Sequence, residues 1–222
     1  MAKEKQKSTK SKSWNEDFDN LSDCEVLEKL ISSVVSKRSA ADVAKDLLEE
    51  FGSFSRVIDA SPRELKRVEG MSDAACSAVT LLPLFWRKYN TSNVKKGTSF
   101  ASFDELARFV SNCMIGYKNE VLLVLCFDEK SKLISWKTIH EGSIHSLDIS
   151  VRKIVSYAVS TEASRVVVAH NHVDGILHPS RADLDSTEML FDVLANMGIT
   201  LVDHIITCNG EYLSLAKFRG VK

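Results

Sequence analysis

The chain has 222 residues, of which 44% are hydrophobic and 27% are charged, and its formal net charge is −1. This composition is ordinary for a globular protein, and the length allows one large domain or two smaller ones. A net charge this close to zero excludes a strong overall electrostatic attraction to nucleic acid or an acidic membrane. Binding to either would need a local patch of positive charge.

The first 19 residues are rich in lysine and serine and poor in apolar side chains. We expect residues 1–19 to form a disordered tail, because such a segment has too little apolar surface to bury. No apolar core follows these lysines, as a secretory signal would require. No stretch reaches the roughly 18 apolar residues of a membrane span. The sequence therefore predicts a cytoplasmic protein.

Residues 20–90 carry helical signals and predict a small all-α domain. Ser22 and Glu25 form a capping-box pattern before an apolar run. Gly52 follows a segment with helical spacing and predicts a C-terminal cap. Pro62 stands at the first position of another predicted helix, where its missing N–H costs nothing.

Residues 66–79 are similar to a helix-hairpin-helix element, in which a G-x-G hairpin offers backbone N–H groups to a nucleic-acid phosphate. Here the hairpin reads Gly70-Met71-Ser72, and a side chain at position 72 limits the approach of backbone to a phosphate. Gly70 and Ser72 are therefore the candidate nucleic-acid-binding residues. A structural or protein-docking hairpin is the alternative, and the sequence favours it.

Residues 91–99 are polar and predict a linker to a second domain at residues 100–222. Strands and helices mix there without strict alternation, which predicts an α/β fold with a mixed β-sheet flanked by helices. The predicted strands are 120–128, 133–139, a short one around 143–146, 165–169, 199–207 and 212–213, and the predicted helices are 103–110, 150–160 and 180–197.

The strongest chemical signal lies between residues 166 and 183. His170 and His172 end an apolar strand, and side chains at i and i+2 of a strand point to the same side. A helix that begins near Ser180 can bring Asp183 back to meet them. Two imidazoles and one carboxylate are three ligands of a tetrahedral zinc site, with water at the fourth position. Ser180 and Asp183 also form a capping-box pattern, and the two interpretations are compatible.

The spacing His170-x-His172-x7-Ser180-x2-Asp183 resembles the JAMM signature, also called MPN+ or JAB, of zinc metallopeptidases. The wider context, HNH followed by DG, PSRAD, LVDHII and GEYLS, resembles the RadC-type JAB proteins of bacteria over about residues 21–218. That family also carries a helix-hairpin-helix-like N-terminal domain. The resemblance implies a JAB/MPN-like fold with cytidine-deaminase-like layering, Zn²⁺ as the cofactor, and hydrolysis of a peptide or isopeptide bond.

The resemblance also implies a role for each residue of the motif. His170, His172 and Asp183 would ligate zinc, and the Ser180 hydroxyl would stabilise the oxyanion. Glu120 is the best match to the upstream glutamate that exchanges protons with water and the leaving amine, and Glu141 is the alternative. Zinc would lower the pKa of its water to roughly 7.

Two departures from the family pattern leave substrate preference open. Val173-Asp174 stands where the family has proline and serine, and Val151-Arg152-Lys153 stands where it has proline, arginine and glutamate. Neither change removes a proposed ligand. Asp174 adds a carboxylate near the metal, although such a residue more often favours the turn before a glycine.

The remaining histidines and the cysteines predict no second site. His204, beside Asp203, is expected to be a buried structural histidine, and His178 is expected to be exposed. The five cysteines are widely spread without a C-x-x-C pair, which predicts reduced thiols and gives a cysteine nucleophile no support.

Two other functions stay open at this point. One is a DNA-repair-associated nucleic-acid-binding protein, because RadC-type proteins carry that label. The other is a non-catalytic scaffold that keeps zinc for stability. The expected partners are a peptide or protein substrate and DNA through the N-terminal domain, with no membrane partner.

Overall fold

The computed structural model describes residues 18–35, 38–142 and 147–218. Most of the predicted tail and the predicted short strand at 143–146 lie outside these residues. The chain divides into two compact units, residues 1–82 and 83–222, which are described separately. The division falls inside a helix, Asp73–Thr91, that ends where the predicted linker begins.

The described part of the first unit is helical, as predicted. Ser22 and Glu25 form both hydrogen bonds of a capping box. In one of them the Glu25 carboxylate accepts from the Ser22 amide at 2.8 Å. Gly52 ends its helix in the left-handed conformation, with φ of 81°. Leu27, Leu47 and other fully buried side chains form the core. The helices are α1 (Asp23–Ile31), α2 (Ala40–Phe51), α3 (Phe54–Asp59), α4 (Pro62–Leu65) and α5 (Asp73–Thr91).

Gly70 and Ser72 contribute to the packing of the first unit. Gly70 has φ of +98°, and a Cβ atom there would lie 2.7 Å from Cγ2 of Val43. The Ser72 hydroxyl donates to the Val34 carbonyl at 3.0 Å and accepts from the Ala75 amide at 3.0 Å, near the start of α5. Both residues therefore have a structural reason to be present. Their contact with a nucleic-acid phosphate stays a prediction.

The second unit contains the predicted mixed sheet, whose strand order is β2-β1-β3-β4-β5. Only the pair β3 and β4 is parallel among the described strands. Every residue of β1 is buried, because helices cover both faces of the sheet. The elements are α6 (Phe103–Met114), β1 (Val121–Phe127), β2 (Leu133–Glu141), α7 (Leu147–Ser160), β3 (Arg165–Asn171), α8 (Arg181–Asn196), β4 (Thr200–Cys208), β5 (Glu211–Ser214) and α9 (Leu215–Phe218).

The two faces of the sheet hold separate apolar clusters. Helix α6 packs with Phe109 and Val110 against one face. Helices α7 and α8 pack with Ile154 and Leu190 against the other, which is called the α7/α8 face below. No helix in the described residues combines the length and the apolar character needed to cross a membrane.

A bulge in β4 changes which residues of that strand face α7 and α8. Val166 pairs with Leu201, but Val167 pairs with Asp203, so Val202 has no partner on β3. An extra residue inverts the alternation of the side chains that follow it. His204 therefore lies beside Val168 on the α7/α8 face.

Candidate metal centre

Three side chains meet at the carboxyl end of β3, where the spacing of the sequence predicts a metal site. The Nε2 atoms of His170 and His172 are 2.9 Å apart. Asp183 lies 3.2 Å from the first of these atoms and 3.5 Å from the second. Zinc bonds of about 2.0–2.2 Å in a tetrahedron place ligand atoms roughly 3.3 Å apart. The three residues therefore match the donor types and spacing of one small cation.

The loop after β3 turns the chain back so that α8 begins beside the histidines. Asp174 accepts a hydrogen bond from the Ile176 amide at 3.0 Å, and Gly175 has φ of +84°. This Asx-type turn is the role that the sequence favours for Asp174. The His172 Nδ1 atom lies 2.7 Å from the Ile176 carbonyl oxygen.

The contact with Ile176 decides which nitrogen of His172 is available to a metal. A carbonyl oxygen only accepts, so His172 Nδ1 carries a proton and donates it. In the neutral ring Nε2 then holds the lone pair, and it points at His170 and Asp183. A backbone carbonyl on the far nitrogen is a common support for a metal-binding histidine.

Asp183 belongs both to the ligand set and to the cap of α8. The Ser180 amide and hydroxyl donate to Asp183 Oδ2 at 2.7 and 2.6 Å, and the Asp183 amide donates back at 3.1 Å. Burial alone would raise the pKa of Asp183, but His170 and Ser180 lower it well below its ordinary value. The carboxylate is therefore ionised at neutral pH, as a metal ligand must be.

Glu120 lines the same cavity as the three candidate ligands, a space of about 210 Å³. It lies immediately before β1 and is half-buried. Glu141, the alternative base, is exposed at the end of β2 and is not among the described lining residues. Apolar side chains on the α7/α8 face, including Leu122, Ile154 and Leu190, form the rest of the wall. A mostly apolar wall with a few converging polar groups is typical of a ligand-binding cavity.

His204 and Thr187 join the centre from positions that were not assigned to it from the sequence. His204 is 5% exposed, as expected for a buried histidine, and its Nε2 lies 2.8 Å from His170 Nδ1. Burial lowers the pKa of His204 to about 3, and the nearby His170 adds to this effect. Thr187 lies one helical turn after Asp183, and this i+4 spacing was the available sequence signal. His178 is exposed, as predicted.

The five cysteines take no part in this site. All are free, and none is among the described residues that line the cavity. Burial raises the pKa of the Cys113 thiol to about 12, so its thiolate is scarce at neutral pH. This environment is the opposite of what a cysteine nucleophile needs.

Comparison with known proteins identifies the domain that carries this centre. Residues 100–221 match the RadC-like JAB domain, and residues 5–77 match the UPF0758 N-terminal domain. The chain belongs to the RadC-like JAB domain family. The resemblance stated from the motifs is therefore confirmed.

Several relatives in this RadC-like JAB family carry the name UPF0758 protein. Those of Nitrosococcus oceani and Cellvibrio japonicus are each 29% identical to this chain over 197 residues, which cover 89% of this chain and 88% of the relative. That of Shewanella oneidensis is 28% identical over 198 residues, with the same coverage. These names state a family and no activity.

Proposed function

We propose that this protein is a zinc-dependent metallopeptidase that hydrolyses a peptide or isopeptide bond. The observation that carries the proposal is the convergence of two imidazole Nε2 atoms and an ionised carboxylate in one cavity with Glu120. Zinc is the metal that such mixed nitrogen and oxygen donors favour, and three protein ligands leave one position open for chemistry. JAB domains commonly bind zinc, which agrees with this choice.

In this proposal, different residues bind the metal and transfer protons. His170, His172 and Asp183 hold the metal, which when bound supplies Lewis acidity and lowers the pKa of a water molecule to about 7. Glu120 accepts a proton from the attacking water and returns it to the leaving amine. The C–N bond of the substrate breaks, and water provides the new hydroxyl of the carboxylic acid and the proton of the amine.

Ser180 has a second role in this proposal. Its hydroxyl donates to Asp183 Oδ2 at 2.6 Å. A hydroxyl hydrogen rotates freely about its bond, so the same group can donate to an oxyanion that develops on the substrate carbonyl. The backbone amide of Ser180 keeps its own bond to the carboxylate at 2.7 Å meanwhile. Asp183 thus stays in place when the hydroxyl turns.

Metal analysis of the purified full-length protein tests the metal half of the proposal. We expect one zinc per chain in the wild type and none after dialysis in His172→Ala. A wild-type protein without stoichiometric zinc after growth in zinc-containing medium would overturn the proposed site.

A library of unstructured peptides and isopeptide-linked peptides tests the catalytic half. Glu120→Gln should keep zinc and lose cleavage, because an amide cannot accept the proton. Glu141→Gln is the matched control, since that carboxylate lies outside the cavity lining, and it should cleave as the wild type does. Equal cleavage by wild type and Glu120→Gln would remove Glu120 from its role.

Thermal melting and a gel-shift assay, together with the cleavage assay, separate the rival functions. A zinc-stabilised scaffold would melt at a lower temperature after chelation and cleave no peptide. A DNA-binding protein would give a salt-sensitive gel shift, because phosphate contacts release counterions. We favour the hydrolase, with a peptide or protein as its partner and the cytoplasm as its location. A role in DNA repair through the first unit is the second choice.

A further inference from the structure

We propose that Thr187 and His204 are positioning residues that fix the ring tautomer of His170, so that its Nε2 lone pair faces the metal position. The inference rests only on the metal half of the proposed function. It assigns a task to two residues that contact no proposed substrate atom.

The first step concerns the hydroxyl of Thr187. Its Oγ1 atom lies 2.5 Å from the backbone carbonyl oxygen of Asp183, one turn earlier in α8. A carbonyl oxygen has no hydrogen to give, so the single hydroxyl proton of Thr187 must be donated to it. Towards any other partner, Oγ1 can then only accept a hydrogen bond.

The second step concerns the ring of His204. Its Nδ1 atom also lies 2.5 Å from Thr187 Oγ1, which can now only accept. His204 Nδ1 therefore carries a proton. The ring is buried, and its hydrogen-bond partners in the described chain are Thr187 and His170, neither of which supplies a carboxylate. A buried imidazole without a carboxylate partner is neutral, because burying an uncompensated charge is costly. His204 Nε2 is therefore unprotonated.

The third step reaches the candidate ligand. His170 Nδ1 lies 2.8 Å from His204 Nε2, which only accepts. His170 must donate from Nδ1, which leaves Nε2, the atom that faces His172 and Asp183, as the nitrogen that can give a lone pair to a metal. The hydrogen bonds thus form an open chain from His170 through His204 and Thr187 to the backbone carbonyl of Asp183. This chain links the ligand on β3 to the ligand on α8.

The fold holds His204 in the orientation that this chain of hydrogen bonds requires. Asp203 is buried and accepts from the His204 amide at 2.7 Å and from the Ala216 amide at 3.0 Å. Its second oxygen accepts from the Ser214 hydroxyl at 2.6 Å. The bulge at Val202 places His204 on the α7/α8 face. The backbone of His204 is therefore tied to β5 and α9.

The tautomers are measured directly by long-range ¹H–¹⁵N correlation on metal-free, full-length protein labelled at histidine. Individual rings are assigned by single substitution. We expect a proton on Nδ1 of both His170 and His204, and an unprotonated Nε2 in His204. His204→Leu removes the acceptor, so His170 should show a mixture of both tautomers. Thr187→Val replaces the hydroxyl by a methyl group of nearly the same size. His204 should then show a mixture of tautomers instead of one.

Zinc affinity measured by chelator competition provides the second readout. Support residues of this kind typically change metal affinity by about 10- to 100-fold. We expect a loss in this range for His204→Leu and Thr187→Val. Thr187→Ser keeps the hydroxyl and is the matched control, and it should bind zinc within about threefold of the wild type. Circular dichroism and a cooperative melt confirm that each variant folds.

The outcomes distinguish this inference from the proposed function. A His170 ring without a proton on Nδ1 in the folded, metal-free wild type would overturn the inference, as would wild-type zinc affinity in both His204→Leu and Thr187→Val. If the wild type binds no zinc, the proposed function fails. The tautomers of the metal-free protein still decide whether the chain of hydrogen bonds orients His170.

Discussion

Asn171 accepts a hydrogen bond from the backbone amide of Val121 at 2.7 Å, through its side-chain oxygen. Its side-chain nitrogen donates to the Asn119 carbonyl at 3.1 Å. Asn171 is the middle residue of the His-Asn-His triplet, and these two bonds hold the backbone on either side of Glu120. The end of β3 and the residue after it thus present two candidate ligands, and Asn171 between them fixes the candidate base.

Replacing Asn171 with alanine is expected to lower the free energy of unfolding by about 1–3 kcal/mol, because the buried Val121 amide loses its acceptor. Zinc content should stay at the wild-type level, since the three candidate ligands are unchanged. Peptide cleavage should fall because Glu120 is less well held. Urea denaturation and metal analysis measure the first two effects. Wild-type stability in this variant would show that the two side-chain hydrogen bonds of Asn171 do not stabilise the fold.

Zinc should stabilise the folded protein by mass action. At a free zinc concentration about 100 times the dissociation constant, we expect a gain of about 2.7 kcal/mol in unfolding free energy. His172→Ala should show no such gain. His178→Ala is the control, because His178 is exposed and lies outside the candidate ligand set. Equal gains in the wild type and His172→Ala would place zinc elsewhere on the chain.

Ser180 caps α8 and, in the proposed function, also stabilises the oxyanion, and a variant of a second capping serine separates these two roles. Ser180→Ala should reduce stability by about 0.5–2 kcal/mol, the usual cost of losing an N-cap, and should also reduce peptide cleavage. Ser102 caps α6, where it accepts from the Glu105 amide at 3.2 Å. Ser102→Ala should cost similar stability and leave cleavage unchanged. If the two variants cleave peptides equally, the proposed oxyanion role of Ser180 is wrong.

Gly70 should be more sensitive to substitution than another glycine with positive φ. A methyl group at Gly70 meets Val43 at 2.7 Å, whereas at Gly198, with φ of +73°, it meets nothing within 4 Å. We expect Gly198→Ala to cost about 1 kcal/mol for backbone strain alone. Gly70→Ala should cost a further 1–3 kcal/mol, roughly, because the core must shift. Chemical denaturation measures both losses, and equal values would contradict the packing role of Gly70.

The thiols should differ sharply in reactivity. Cys113 is buried, and its pKa is raised to about 12, so its folded form contains little thiolate at mildly alkaline pH. Cys24 is partly exposed and should react first with an alkylating reagent. Because unfolding restores the ordinary pKa of Cys113, this burial also makes stability fall as the pH rises from about 9 towards 12. Mass spectrometry of timed alkylation checks the order, and rapid modification of native Cys113 would contradict it.

The residues that could be predicted from the sequence are those whose placement depends on short-range periodicity. His170, in β3, and His172, one residue beyond its end, point to the same side because side chains of extended backbone alternate. Ser180 and Asp183 form a capping box because their spacing matches the first turn of a helix. Gly52 ends α2 because it adopts a left-handed conformation easily. These signals, with the family motif, were sufficient to predict the mixed sheet and the three candidate ligands.

The contacts around those ligands depend on residues that are distant in the chain. His204 reaches His170 only because a bulge at Val202 inverts the alternation of β4, and the sequence of β4 carries no local signal for that extra residue. Asn171 flanks Glu120 only because β3 pairs with β1 across the sheet. The sequence by itself therefore determined which residues could bind a metal. The tertiary structure decided which side chains orient them, because strand register and a bulge depend on the packing of the whole sheet.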